Sequence, residues 1–223
     1  MPRPHEDLQR HTSTDHRAGG TIVALTPDSW WAIEVAHVAA ARAVAQIASY
    51  ETLIEKARAS ATNAREAMVL RSRDDRRVIA LLRLDGHESF RHLASAWDDH
   101  HLVAEGRAIA ESRSLALYRL STTAGDPFID PASTDAYAFE RVARSGERVR
   151  AVAALLAGAP GFRGTSFFGT DDDRASAIVY RFTHAEEIEA FRATPEAQGA
   201  LGAVGGPGEA LYPVYAVRTF DKI

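Results

Sequence analysis

The chain has 223 residues, of which 46% are hydrophobic and 25% charged, a composition typical of a globular protein with a sizeable core. Its formal net charge is -4, whereas proteins that bind nucleic acid or an anionic membrane usually have a positively charged surface. The sequence contains no cysteine, which excludes disulfides, thiolate catalysis and cysteine-ligated metal sites. No apolar run reaches the length of about 18 residues that a transmembrane helix needs. We therefore expect a cytoplasmic protein.

The N-terminal quarter contains the segments that are hardest to assign. Residues 1–20 are polar and lack the apolar centre of a signal peptide, so we expect a disordered leader. The stretch TIVALTP at 21–27 predicts an opening strand. The alanine-rich segment 28–48 begins with Asp28 and Ser29, which are good N-cap residues, and predicts an inserted helix. Part of this segment, WAIEV, is also compatible with a strand.

The rest of the first half alternates between helical and strand patterns. Hydrophobic periodicity and the acidic turn at Asp74 and Asp75 define the predicted elements. They are a helix at SYETLIEKARAS, strands at AREAMVLRS and RRVIALLRL, a helix at ESFRHLASAWDDHHLVAEG and a strand at SLALYRL. The polar stretch 121–134, which contains glycine and proline, predicts a linker.

The second half has a clear pattern of alternating elements. It predicts a strand at AYAFERVAR, a helix at SGERVRAVAALLAGAPG, strands at RGTSFFGT and RASAIVYRF, a helix at HAEEIEAFRATPEAQGAL and a strand at LYPVYAVRTF. This order, β-α-β-β-α-β, is the ferredoxin-like pattern.

The two halves show the same predicted order, which indicates an internal duplication. The first repeat covers 21–120 with the helical insertion 28–48, the linker covers 121–134, and the second repeat covers 135–223. A ferredoxin-like sheet has helices on one face and must bury the other. We therefore expect an α+β fold of two tandem ferredoxin-like repeats whose sheets pack into an intramolecular dimeric α/β barrel. Such a chain is a monomeric pseudo-dimer or pairs again as a homodimer.

The helix predicted around residues 90–101 carries the strongest candidates for catalysis. Leu93, Trp97 and His100 fall on one stripe of this helix, with Phe90 and His101 beside it. A tryptophan beside imidazoles could hold a planar aromatic substrate and accept its phenolic proton. The catalytic candidates are His100 as the base, with Trp97, His101 and His92, and Phe90 is a candidate for substrate binding. The alternative is an ordinary amphipathic helix with Trp97 in the core and histidines in solvent.

Four further residues are candidates for substrate binding. Trp30 and Trp31 could close the site or stack on an aromatic ligand, although packing alone would also explain them. Tyr50 and Asn63 could donate hydrogen bonds to a ligand, although helix-start and turn positions commonly carry such residues.

The adjacent Asp and His residues at 98–101 point about 100° apart on a helix and do not converge on one ion. We therefore predict no metal site.

The segment APGFRGTSFFGTDDDRASAIVYRFTHAEEIEAFRATPEAQGAL, residues 159–201, resembles the antibiotic biosynthesis monooxygenase family of the dimeric α/β-barrel superfamily. The pieces that carry the resemblance are PGF after a helix and FRATPEAQ after a strand. A fused pair of such domains is similar to the angucycline ring-opening oxygenases of jadomycin, gilvocarcin and kinamycin biosynthesis. Small quinone-forming oxygenases of the superfamily carry a tryptophan where this chain has Trp97, but tend to carry asparagine where it has Leu93.

The resemblance implies a monooxygenase in antibiotic biosynthesis. Its expected substrate is a polycyclic aromatic polyketide, which undergoes angucycline-type hydroxylation or oxidative ring opening with O₂. No tightly bound cofactor is expected, and reduced flavin (FADH2 or FMNH2) would come from a separate flavin reductase. The alternatives are a cofactor-independent anthrone-type oxygenase, a polyketide cyclase or aromatase, and a non-catalytic binding protein. The site is expected in the first repeat, which holds all three tryptophans.

Overall fold

The computed structural model describes residues 23–24, 28–59, 64, 66–72, 74–98, 107–126, 128–129, 135–142, 146–172, 176–201, 211–212 and 214–219; for some of these, among them 96–98 and those after 201, it describes the backbone alone. The fold is mixed α+β. The strands are β1 (Val23–Ala24), β2 (Trp30–Val38), β3 (Glu66–Arg71), β4 (Arg77–Leu84), β5 (Ala110–Gly125), β6 (Phe128–Ile129), β7 (Ala136–Val142), β8 (Phe162–Gly169), β9 (Ser176–Phe182), β10 (Leu211–Tyr212) and β11 (Val214–Thr219). The helices are α1 (Ala43–Ala59), α2 (His87–Asp98), α3 (Gly146–Ala157), α4 (Ala185–Arg192) and α5 (Pro195–Leu201).

One antiparallel sheet contains most of the strands. Its order is β10-β7-β9-β8-β5-β2-β4-β3-β11, while β1 and β6 form a separate two-stranded ribbon. The long strand β5 pairs with β2 through Ala110–Arg119 and with β8 through Arg119–Gly125, so it joins both halves of the chain. Where β8 meets β5, a Cβ on Gly164 would lie 2.0 Å from the carbonyl oxygen of Asp126. Only glycine allows this close approach of the two backbones.

The apolar side chains form three clusters around the sheet. The first lies on one face and takes residues from β2–β5 and from β7–β9, so both halves share it. The second lies between the other face of β2–β5 and helices α1 and α2. The third lies between β7–β9 and helices α3–α5. Strands β2–β5 and β7–β9 therefore contribute apolar side chains to both faces of the sheet, as expected for strands that are buried on both sides.

The helix predicted for 28–48 is wrong over residues 30–38, which form the central strand β2. Trp31, Ile33 and Val35 face the shared cluster, and Ala32 and Ala36 face the helices. Burial on both faces removes the polar alternation by which a strand is recognised, and the small alanines allow helix α1 to pack closely. The rest of the segment is helical, with a 3₁₀ turn at Ala40–Arg42 followed by α1.

Three other expectations need correction. Of the opening strand predicted at 21–27, the described residues Val23–Ala24 form β1, which pairs with β6 in the separate ribbon and not with the large sheet. The predicted linker 121–134 begins inside β5, because residues 121–125 continue the strand and pair with β8. The last predicted helix is two helices, since Thr194 Oγ1 accepts the Ala197 N–H and Pro195 starts a new helix. Strands β3, β4, β8 and β9 and helix α3 are confirmed. Helix α2 is confirmed over 87–98.

Within the described parts of the chain, no helix is long and apolar enough to cross a membrane. The same parts contain no group of three or more His, Asp or Glu side chains placed to hold a metal ion.

Candidate functional site

A buried carboxylate lies in the middle of β2. The side chain of Glu34 is only 2% exposed. Strand alternation places Glu34 on the face shared with Ala32 and Ala36, beneath helix α1. A lone charge in such an environment costs several kcal/mol unless other groups compensate it. The identity of those groups determines what Glu34 can do.

Arg113 is the charged partner of Glu34. It lies on β5 opposite Ala36, two residues along the same face, and its Nε donates a hydrogen bond to Glu34 Oε1. The guanidinium also lies 6.0 Å from the ring centroid of Tyr50, a fully buried residue of α1. Two strands and one helix therefore bring an acid, a cation and a phenol together in the layer between sheet and helix.

The environment shifts the proton affinities of this cluster. Burial raises the pKa of Glu34 above its ordinary value, and this effect outweighs the opposing hydrogen bonds from Arg113 and Tyr50 and the charges of Arg113 and Arg107. Burial and the negative charge of Glu34 together raise the pKa of Tyr50 well above its ordinary value. Glu34 is therefore a better proton acceptor than an ordinary glutamate, while Tyr50 keeps its own proton.

Several buried polar atoms of this layer lack a hydrogen-bond partner among the described residues. They are Glu34 Oε2, Arg113 Nη2, both amide atoms of Gln46 and the hydroxyl of Ser49. Gln46 and Ser49 lie on α1 within about one turn of Tyr50. Each unmet buried group costs about 1–3 kcal/mol, so a water or a polar ligand that satisfied several of them would be stabilised here.

Among the predicted substrate-binding residues that the structure describes, Tyr50 lies in this cluster. Trp31 is fully buried in the shared core, on the opposite face of β2 from Glu34. Its indole Nε1 donates to Ser29 Oγ at 2.7 Å, and its ring meets Phe168 edge-on at a centroid distance of 6.2 Å. Phe90 is half-buried and packs against the core beneath α1 and α2.

Trp30 belongs to a polar group at the end of β2. Its ring centroid lies 4.6 Å from that of His87, and the Arg119 guanidinium lies 5.8 Å from its ring. Arg119 pairs with Asp28 at 2.9 Å, and His87 Nε2 lies 2.5 Å from a carboxylate oxygen of Asp171. Asp171 follows β8, so this group connects the two halves of the chain at the surface.

The predicted catalytic residues lie mostly outside the described side chains. His92 is exposed on α2, with Nε2 3.9 Å from Glu88. Trp97 is described only as part of the backbone of α2. His100, His101 and Asn63 lie outside the described residues. Their roles stay predictions.

Sequence reasoning missed Glu34 and Arg113. Glu34 did carry a signal, because it is the one acidic residue in the apolar run Trp30–Val38. A charge within a segment buried on both faces needs a compensating partner and is a candidate for function. Arg113 gave no such signal in the sequence, because it lies beside Glu34 only through the pairing of β5 with β2.

No protein-family model matches the sequence, and no curated protein matches it with significant similarity. Solved structures of similar shape exist. An anthrone oxidase-like protein superimposes with a TM-score of 0.69 and 16% identity, over 89% of this chain and 96% of that one. A proposed monooxygenase of Fusobacterium nucleatum gives a TM-score of 0.57 and 9% identity, over 89% of this chain and 100% of that one. A proposed monooxygenase of Lactobacillus acidophilus gives a TM-score of 0.53 and 10% identity, over 86% of this chain and 96% of that one. This chain shares the fold of these three proteins.

Proposed function

We propose that the protein is an oxygenase of phenolic polycyclic aromatic compounds and that Glu34 accepts the phenolic proton. The observation that carries the proposal is the buried Glu34–Arg113 pair, in which Glu34 Oε2 and Arg113 Nη2 are left open. The likeness in fold to an anthrone oxidase-like protein and to two proposed monooxygenases supports the choice of reaction class.

The chemistry follows from the ionisation of the substrate. Loss of the phenolic proton to Glu34 makes the ring system electron-rich, and Arg113 offsets the charge that develops. When a ring methylene becomes a carbonyl, its two C–H bonds supply all four electrons that O₂ accepts. One oxygen atom stays on the carbon and the other leaves as water. Aromatic hydroxylation takes only two electrons from the substrate, so a co-substrate must supply the other two.

For hydroxylation or ring opening of an angucycline-type polyketide, the proposed co-substrate is reduced flavin from a separate reductase. Trp30 is one of the two adjacent tryptophans predicted to close the site or stack on an aromatic ligand, and it already has Arg119 over its ring and His87 at its side. The described residues thus offer no clear platform for a flavin, and we assign it no step. A reaction with O₂ alone needs only the substrate and the buried base.

We also propose that the chain is a tandem pair of ferredoxin-like repeats closed into a barrel. Three observations support this arrangement. The orders β5-β2-β4-β3 and β10-β7-β9-β8 are the same when the strands of the large sheet are numbered in chain order from β2 in the first half and from β7 in the second. The end strands of the sheet, Leu211–Tyr212 and Val214–Thr219, are separated in the chain by one residue. Both halves contribute to one apolar cluster. Residues 30–38 then open the first repeat in place of 21–27.

Oxygen uptake by the purified protein tests the function. The substrates are 1,8-dihydroxyanthrone and an angucyclinone-type phenol, each with and without a flavin reductase and NADH, and corrected for oxidation of free reduced flavin. Uptake that depends on protein and substrate supports the oxygenase, and its dependence on the reductase decides the electron source. Substrate loss without oxygen uptake would indicate a cyclase. The absence of both substrate loss and oxygen uptake would indicate a binding protein.

A matched pair of variants tests the role of Glu34 in that assay. Glu34→Gln is expected to lower kcat by at least about 100-fold, because general base catalysis contributes on the order of 10²–10⁴. The control is Glu66→Gln on β3, where Glu66 pairs with Arg83 at 3.2 Å and is partly exposed. We expect this control to keep its kcat. Equal activity of the two variants would remove Glu34 from the mechanism.

A further inference from the structure

A short motif occurs in β2 and again in β7, which are the first strands of the large sheet in their halves of the chain. Trp31-Ala32-Ile33-Glu34 in β2 and Tyr137-Ala138-Phe139-Glu140 in β7 both read aromatic, alanine, apolar, glutamate. Their burial also corresponds. The aromatic and apolar residues belong to the cluster shared by both halves, and each alanine belongs to the helix-covered cluster of its own half. Glu34 and Glu140 are both buried, at 2% and 8% exposure.

The pairing of the strands supports this equivalence. Trp31 lies opposite Arg83 in β4, and Tyr137 lies opposite Arg181 in β9. The residue after each aromatic is an alanine, and the residues opposite these alanines are Leu82 and Tyr180. The two glutamates therefore occupy corresponding positions beneath the helices of their halves.

The surroundings of Glu140 differ from those of Glu34. The Tyr180 hydroxyl donates to Glu140 Oε1, and Arg192 Nε of helix α4 lies 3.2 Å from the same oxygen. Neither oxygen of Glu140 is among the buried side-chain atoms left without a partner in the described residues. Burial and the charge of Glu140 raise the pKa of Tyr180 well above its ordinary value, so the hydroxyl keeps its proton and remains a donor.

The first half lacks both groups that occupy Glu140. Leu82 stands in the place of Tyr180, as the strand pairing shows. Arg192 stands ten residues after Phe182, the end of β9. The residue ten positions after Leu84, the end of β4, is Ala94. Leucine and alanine offer no donor. Glu34 is instead paired with Arg113 of β5 and lies near Tyr50 of α1, and its Oε2 has no hydrogen-bond partner among the described residues.

We infer that the chain has one reactive carboxylate, Glu34, and that Glu140 is its closed counterpart, which attaches helix α4 to the sheet of the second half. The inference rests on the proposed function and adds that each chain binds one substrate molecule. The Tyr180 hydroxyl and the Arg192 guanidinium both contact Oε1 of Glu140. At Glu34, by contrast, Oε2 has no hydrogen-bond partner among the described residues and is left to accept from a substrate phenol.

The first test uses the matched variants Glu34→Gln and Glu140→Gln, with 1,8-dihydroxyanthraquinone as a stable probe of the site. Calorimetric titration of the wild-type chain should give one molecule bound per chain. Glu34→Gln should weaken binding at least tenfold, and Glu140→Gln should leave Kd within about twofold while both keep their circular dichroism spectra. Two probe molecules per chain, or equal losses in the two variants, would overturn the inference and leave the oxygenase proposal intact.

The second test needs no ligand. Infrared spectra recorded across a pH series report protonated carboxyl groups directly. Burial raises the pKa of Glu34 by more than Arg113, Arg107 and Tyr50 lower it. The Glu34 carboxyl therefore keeps its proton above its ordinary pKa of 4.5. We expect a protonated-carboxyl band in that range which Glu34→Gln removes and Glu140→Gln retains. Loss of the band in Glu140→Gln alone would reverse the assignment, whatever the oxygen assay shows.

Discussion

Arg113 and Glu34 form an ion pair across 79 positions of the chain, beneath helix α1. Their side chains are only 12% and 2% exposed, so both charges have been removed from water. Such a pair contributes little to stability, because desolvation cancels most of the attraction. Its presence in an apolar layer, with polar atoms left open around it, is better explained by a role in binding or chemistry.

Removal of Arg113 should be strongly destabilising. Arg113→Met leaves the Glu34 carboxyl buried without its cation, which typically costs about 3–5 kcal/mol. The double variant with Glu34→Gln should recover part of this loss, because the uncompensated charge has gone. Urea unfolding at neutral pH measures both.

The control for that experiment is Arg119→Met. Arg119 and Asp28 are 52% and 76% exposed, so the loss of this pair should cost less than about 1 kcal/mol. If Arg113→Met were no less stable than Arg119→Met, the buried pair would not exist as described.

The free energy of unfolding should depend on pH through the protonation of Glu34. Burial raises the pKa of Glu34 above 4.5 in the folded chain, so the folded state holds this proton more tightly than the unfolded state. The resulting stabilisation is fully present below pH 4.5 and is lost as the pH rises through the folded pKa. Glu34→Gln lacks this loss. The free energy of unfolding of the variant, relative to wild type, should therefore increase with pH in a urea series, and a flat or falling difference would contradict the shift.

The adjacent tryptophans should respond differently to truncation. Trp31→Ala empties a fully buried core position and should cost about 3–5 kcal/mol. Trp30→Ala removes a half-buried ring and its contact with Arg119, a contact worth about 0.5–1 kcal/mol at an exposed site. If Trp30 contacts substrate as predicted, its variant should raise KM with a smaller loss of stability. Equal losses of stability would show that Trp30 is a core residue as well.

The contact between His87 and Asp171 should be weak. Both side chains are more than half exposed, so a double-mutant cycle with His87→Ala and Asp171→Ala should give a coupling below about 1 kcal/mol. Added salt should reduce the coupling, since exposed charges are screened. A coupling well above about 1 kcal/mol that salt leaves unchanged would contradict this prediction.

The sequence by itself determined the elements whose signals are local. Strands β3, β4, β8 and β9 have turn residues at their ends, and helices α2 and α3 have the periodicity or the glycine and proline stop that mark helices. These features act over a few residues and do not depend on distant partners.

Only the tertiary structure decided the role of Trp30–Val38 and the composition of the site. Alanine favours helices over strands, so the place of Ala32 and Ala36 in a central strand depends on α1 packing above them. The pair of Glu34 with Arg113 exists because β5 lies beside β2, and β5 reaches both halves because its last residues find β8. Strand pairs and buried ion pairs join residues that are far apart in the chain. Their energies depend on which surfaces come into contact in the folded protein, and a local sequence pattern does not predict that.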